Sequence, residues 1–127
     1  MRLLLDTHAL IWWLQGSKLS KRAKNAIIDP LNLVYVSSVS AWEISTKQRL
    51  GKLLEVPKAE QIFDELQEDK HYKMLPITFK HALLAGAFDT AHKDPFDRML
   101  AAQAKIEGLS LVTVDPLIKT FEIETLW

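Results

Sequence analysis

The stretch DPFDRMLAAQAKIEGLSLVTVDP, Asp94 to Pro116, carries a helix and a strand back to back. Asp94 is a good N-cap, Pro95 suits the first helical position, and Gly108 supplies a left-handed stop, so the helix runs from Pro95 to Glu107. Leu109 to Val114 is then a short apolar run closed by Asp115-Pro116, the signature of a buried strand. A helix handing over directly to such a strand is half of a βαβ unit.

The same alternation extends in both directions. Arg2 to Leu5 is an apolar run ending in Asp6 and reads as a first strand. Ala9 to Gln15 forms a short helix stopped by Gly16. Ser17 or Ser20 caps a second helix that ends at Asp29-Pro30, where the proline ring disfavours helical geometry. Leu33 to Val36 is β-branched and apolar, a second strand. Ala41 to Leu50 is helical with Gly51 behind it, and Ala59 to Lys70 is an amphipathic helix through Ile62, Phe63 and Leu66. Lys73 to Ile77 suits an edge strand, because Pro76 has no N–H for a ladder. Phe79 to Phe88 is helical, and Phe121 to Leu126 adds a last short strand. Strands alternating with helices imply right-handed crossovers and an α/β fold, one domain over residues 1–127 with a parallel sheet covered on both faces.

In such a sheet, function gathers at the carboxyl ends of the strands. Asp6 and Asp115 follow strands directly. Glu43 and Asp97 lie near the N-termini of helices that start from the same edge. Each acid has a plain structural role open to it. Asp6, Asp94 and Asp115 can cap, Asp97 answers a helix dipole, Ser40-Ala41-Trp42-Glu43 matches a capping box, and Glu43 can pair with Lys47. Caps alone, however, are served equally well by Ser, Thr or Asn. Neither Asp6 nor Asp115 has a Lys or Arg beside it in sequence. Clustered carboxylates raise one another's pKa unless a cation intervenes, and hard oxygen donors suit Mg²⁺ or Mn²⁺.

Composition removes several alternatives. With no cysteine, there is no disulfide framework, thiolate nucleophile or Cys-based zinc site, and a reducing compartment fits. The four histidines lack zinc-motif spacing; His8 and His92 flank the acidic segments, where a phosphate contact is open to them, although caps or surface groups are the commoner roles. The opening apolar segment is too short to span a bilayer and has no cleavage site, so no membrane association and a cytoplasmic location are expected. Lys plus Arg equals Asp plus Glu at 16 each. Setting the four rim acids aside leaves twelve acids against sixteen bases, so the balance conceals a mildly basic remainder. Lys18, Lys21, Arg22 and Lys24 form one basic cluster, and Lys47, Arg49 and Lys52 another. These are the candidates to track a nucleic-acid backbone. Arg98, beside Asp97, is expected to meet a phosphate or a carboxylate. Trp12 and Trp13 cannot both face inward from one helix, so one is expected at the surface with Leu10 or Leu14.

Four segments, LLLDTHALIWWL (3–14), VSSVSAWEISTKQRLGKL (36–53), HKDPFDRMLAAQA (92–104) and LVTVD (111–115), resemble the PIN-domain family, and within it the VapC-type toxins of toxin–antitoxin pairs. The resemblance runs in order along the chain and implies a PIN-like fold with a central, mostly parallel sheet of about four or five strands. It further implies a Mg²⁺- or Mn²⁺-dependent ribonuclease with Asp6, Glu43, Asp97 and Asp115 as catalytic metal ligands. Thr7 and Thr113 are expected to orient them. The implied partners are an RNA substrate, a cognate antitoxin and a second copy in a homodimer. A phospho-receiver is a poorer match, because Asp6 has no acidic neighbour and Asp115-Pro116 occupies the place of its lysine. A PIN scaffold without catalysis is disfavoured by the intact quartet.

Overall fold

A computed structural model describes residues 1–127. Its elements, in chain order, are β1 (Arg2–Leu5), α1 (Thr7–Gln15), α2 (Lys21–Ile28), β2 (Leu33–Ser37), α3 (Ser38–Arg49) and α4 (Ala59–Glu68). β3 (Tyr72–Leu75), α5 (Phe79–Ala87), α6 (Pro95–Glu107), β4 (Ser110–Val112), a 3₁₀ helix (Pro116–Phe121) and β5 (Thr125–Leu126) complete the chain. All five strands are parallel and lie in the order β3-β2-β1-β4-β5. No helix is long and apolar enough to cross a membrane.

Strand periodicity divides the core between the two faces. Leu3 and Leu5 of β1, with Val34 and Val36 of β2, pack beneath α1, α2 and α4 through Leu10, Ile27, Ile62 and Leu66. Leu4 and Leu111 point the other way, into Leu100, Ala101 and Ala104 of α6 and Ile118 and Phe121 of the 3₁₀ helix. Leu3, Leu4 and Leu5 are fully buried, each burial contributing about 2 kcal/mol. β1 is the centre of the sheet. The chain winds outward from it through β2 and β3 on one side and through β4 and β5 on the other. The switch point therefore lies between the carboxyl ends of β1 and β4, where open α/β sheets bind ligands.

Several boundaries differ from the sequence expectation. α3 begins at Ser38, three residues early, because Ser37 rather than Ser40 is the cap: its hydroxyl accepts the Val39 N–H at 3.0 Å. The Ser40–Glu43 capping box does not form, and Glu43 sits in the second turn. α1 starts at Thr7, directly after its Asp6 cap. β3 stops before Pro76, whose missing N–H ends the ladder. The final strand shrinks to Thr125–Leu126 because Pro116 to Phe121 coils into the 3₁₀ helix, which Asp115 caps. Helix α6 has the bounds expected of it, with Gly108 at φ 65° in the left-handed region.

Candidate active site

Asp6 leaves β1 at the switch point and turns the chain into α1. Its Oδ1 accepts the Ala9 N–H at 2.7 Å, and the side chain is nearly buried. Burial raises its pKa above the usual carboxylate range; hydrogen bonds from Thr113 and from the Ala9 backbone counter this. Thr113 also ties the neighbouring acid into place, its hydroxyl accepting the Asp115 N–H at 3.1 Å. Asp115 Oδ1 in turn accepts the Leu117 N–H at 2.9 Å as the 3₁₀ helix begins. One threonine thus links the Asp6 carboxylate to the backbone of Asp115.

Asp97 arrives from α6. Asp94 takes the capping role, its Oδ1 accepting the N–H groups of Phe96 at 2.8 Å and Asp97 at 3.1 Å, so the Asp97 side chain is left for the site. Burial pushes the Asp97 pKa up to about 7, reinforced by the negative charges of Asp94, Glu43, Asp6 and Asp115. Three of those four neighbours are the acids expected from sequence, so the structure brings the quartet within mutual electrostatic reach. Glu43, with 3% exposure, comes from α3 and pairs with Lys47 Nζ at 2.5 Å.

The other expected site residues divide. Thr7 does not hold a carboxylate: its Oγ1 lies 3.0 Å from Ser40 Oγ in a buried contact that fastens α1 to α3. Arg98, expected to meet phosphate or carboxylate, is turned away, and all its guanidinium nitrogens donate to backbone carbonyls between Ala85 and His92. Lys47 is engaged by Glu43 rather than free for a nucleic-acid backbone. Lys18, Lys21 and Arg49 are exposed. Arg22 is exposed too, and lines a cavity of about 250 Å³ shared with Thr113, Asp115, Lys119 and Trp127. Both tryptophans of α1 are half-buried: Trp13 Nε1 donates to the Tyr72 hydroxyl at 2.6 Å, and Trp12 stacks edge-on against Trp127. Leu10, proposed for an exposed patch, is fully buried, while Leu14 is exposed.

Three residues stand at the site in ways the sequence does not announce. Lys119 had no cluster to mark it. Trp42, 54% exposed, stacks edge-on over Phe96 at 4.7 Å, so an aromatic pair stands between the residues that precede Glu43 and Asp97. His92 is the third. It flanks the acidic segment in a loop whose spacing makes no ligand motif, yet its Nε2 is 3.2 Å from Asp97 Oδ2, and donor atoms of His92, Asp97 and Asp115 all fall within 4.8 Å of one another.

A group of hard oxygen donors, two of them buried, two half-buried and all mutually repulsive, is the donor chemistry that a divalent cation relieves. The buried His92 Nε2, which has no hydrogen-bond partner, marks an unmet demand at the same place. These residues fit a small divalent ion.

The sequence matches the family described as PIN domain over residues 3–122. No curated protein matches it. Among solved structures it is similar to VapBC2 from Rickettsia felis bound to a DNA fragment from its promoter, at 16% identity and a TM-score of 0.73, with 99% of this chain and 98% of that one covered. It is similar to a toxin–antitoxin complex from Klebsiella pneumoniae at 20% identity and a TM-score of 0.58, covering 89% and 86%. The PIN-domain endonuclease Utp24 gives 16% identity and a TM-score of 0.53, covering 95% and 76%.

Proposed function

The chain belongs to the PIN-domain family, and from that premise we propose that it is a VapC-type toxin: a Mg²⁺- or Mn²⁺-dependent endoribonuclease of the cytoplasm, held in check by an antitoxin. The observation that carries this reading is the convergence of Asp6, Glu43, Asp97 and Asp115 at the switch point of the sheet. A bound divalent ion would supply an activated water and offset charge building on the attacked phosphate.

The protein's own groups supply position and charge. Asp6 and Asp97 are the direct metal ligands, fixed respectively by the α1 cap and by the Asp94 cap that precedes α6. Asp115 stands beside Asp97 and is oriented through Thr113. Glu43 is shared with Lys47, which moderates its charge and aims it at the site. Arg22 and Lys119 border the cavity at Asp115, where they can receive the phosphates flanking a cut. Trp42 offers an exposed ring for an unpaired base, the feature that single-stranded RNA presents. The similar VapBC assemblies support the antitoxin partner.

Asp6→Asn preserves the cap but removes the charge. Metal-dependent cleavage of single-stranded RNA, followed on gels, is expected to fall at least about a hundredfold, the scale of losing one preorganised electrostatic group. Undiminished cleavage by a folded Asp6→Asn protein would defeat the assignment.

The proposed homodimer also has a face. Phe79 and Leu83 lie one turn apart on α5 and are 90% and 74% exposed. A mostly apolar cavity of about 320 Å³ lies between α3, α4 and β3, lined by Ala41, Phe63, Met74 and Pro76. An exposed apolar knob and an apolar hollow suit a self-complementary two-fold contact. Phe79→Asp is expected to convert a dimer into a monomer in light scattering at micromolar concentration; an unchanged dimer would move the interface elsewhere.

A further inference from the structure

His92 is the one imidazole at the acidic site whose buried nitrogen has no partner. It stands in the loop before α6, its ring 5.3 Å from that of Phe121, its N–H donating to Thr90 Oγ1 and its carbonyl receiving Arg98 Nη1 at 2.9 Å. The residue is thus held on three sides while Nε2 points at Asp97. The 3.2 Å approach to Asp97 Oδ2 lacks hydrogen-bond geometry, and Asp115 completes a group of donor atoms within 4.8 Å.

We propose that His92 is a nitrogen ligand of the same metal site, held there together with Asp97 and Asp115, and that it biases the site toward Mn²⁺ over Mg²⁺. The inference rests on the metal-site half of the functional proposal and is independent of RNA being the substrate. Bonds of about 2.1 Å to one ion put adjacent donors about 3.0 Å apart, close to the 3.2 Å between His92 Nε2 and Asp97 Oδ2, and the donor atom of Asp115 lies within 4.8 Å of those of both residues. A buried ring nitrogen left unsatisfied is destabilising, a cost that an ion between the three side chains would remove. Mg²⁺ and Mn²⁺ both favour oxygen donors, but Mg²⁺ holds its waters tightly, whereas Mn²⁺, the first member of the transition-metal affinity series, exchanges one for a ring nitrogen more readily. A simple His–Asp pair, with Nε2–H donating to Asp97, would place a proton where the metal bond must form and would give no preference between ions.

The full chain loaded with Mn²⁺ is to be studied by pulsed electron paramagnetic resonance. The expected result is an imidazole ¹⁴N coupling to Mn²⁺ that disappears in His92→Ala and in His92→Phe, the latter keeping a ring against Phe121. Calorimetric titration is expected to show Mn²⁺ affinity reduced at least about tenfold in both variants while Mg²⁺ affinity changes less than about twofold. Mn²⁺ bound without nitrogen coupling, or equal losses for the two ions, would overturn the role of His92 alone, provided Asp97→Asn still abolishes binding. A wild-type protein that binds no Mn²⁺ would overturn both this inference and the metal-site reading.

Discussion

Asp97→Asn is expected to lose metal-dependent cleavage by at least about a hundredfold and, in the metal-free protein at pH 7.5, to be more stable than the wild type. The two effects share one cause. Asp97 is half-buried among four other carboxylates, and its pKa is pushed up to about 7 against 3.8 for the free side chain. Between those values the folded protein holds a proton that the unfolded chain has released. Stability therefore falls as pH rises through this window and is lowest above it, where the carboxylate is charged in both states. Asparagine removes the charge without changing the shape. Its advantage should be largest above pH 7 and vanish near pH 4, with each kcal/mol gained worth about 4 °C in Tm. Divalent ion should reverse the order, because a ligand that binds only the folded wild type stabilises only the wild type. Thermal melts at pH 4 and pH 7.5, with and without Mn²⁺, give the full comparison. A variant no more stable than wild type at pH 7.5 without metal would refute the repulsion that defines the site.

The residues legible in sequence are those whose role is local. Asp94-Pro95 and Gly108 bracket α6 because capping and chain reversal depend only on near neighbours, and the same holds for Asp6 before α1 and Asp115 before the 3₁₀ helix. Where several residues competed, local chemistry was not enough. Ser37, Ser38 and Ser40 could each open α3, and the choice falls to Ser37 because the β2–β3 ladder, with Ser37 opposite Leu75, carries the strand up to that residue. Strand order was equally out of reach. The convergence of Asp6 with Asp115 requires β1 to lie beside β4, and this is set by helices covering both faces of β1 rather than by any one segment. His92 and Arg98 mark the two ends of the remaining difficulty. His92 belongs to an aperiodic loop, so no spacing announces its approach to Asp97. Arg98 is adjacent to Asp97, but successive residues on a helix point about 100° apart, so adjacency in sequence sends the two side chains in different directions.

That divergence gives Arg98 its own large effect. Its Nε donates to the Ala85 carbonyl at 2.8 Å, Nη1 to His92 at 2.9 Å, and Nη2 to Phe88 at 2.7 Å, with longer contacts to Gly86 and Thr90. These carbonyls belong to the last turn of α5 and to the loop that carries His92 and Asp94. A cation there satisfies orphan acceptors of the helix end and complements its dipole. Arg98→Ala leaves several of them without a donor. Water can reach part of the loop, so the expected cost is about 3 kcal/mol rather than the sum of separate charged hydrogen bonds, or about 10 °C in Tm. Amides of residues 88–94 should exchange faster with solvent, and cleavage should fall because the cap that aims Asp97 is no longer held. Arg98→Lys should recover little of this: an ammonium is a point donor on a flexible stem and cannot span carbonyls that a planar fork reaches at once. A lysine variant with wild-type stability and unchanged exchange in the loop would show that positive charge alone, and not the shape of the guanidinium, joins α5 to the acidic site.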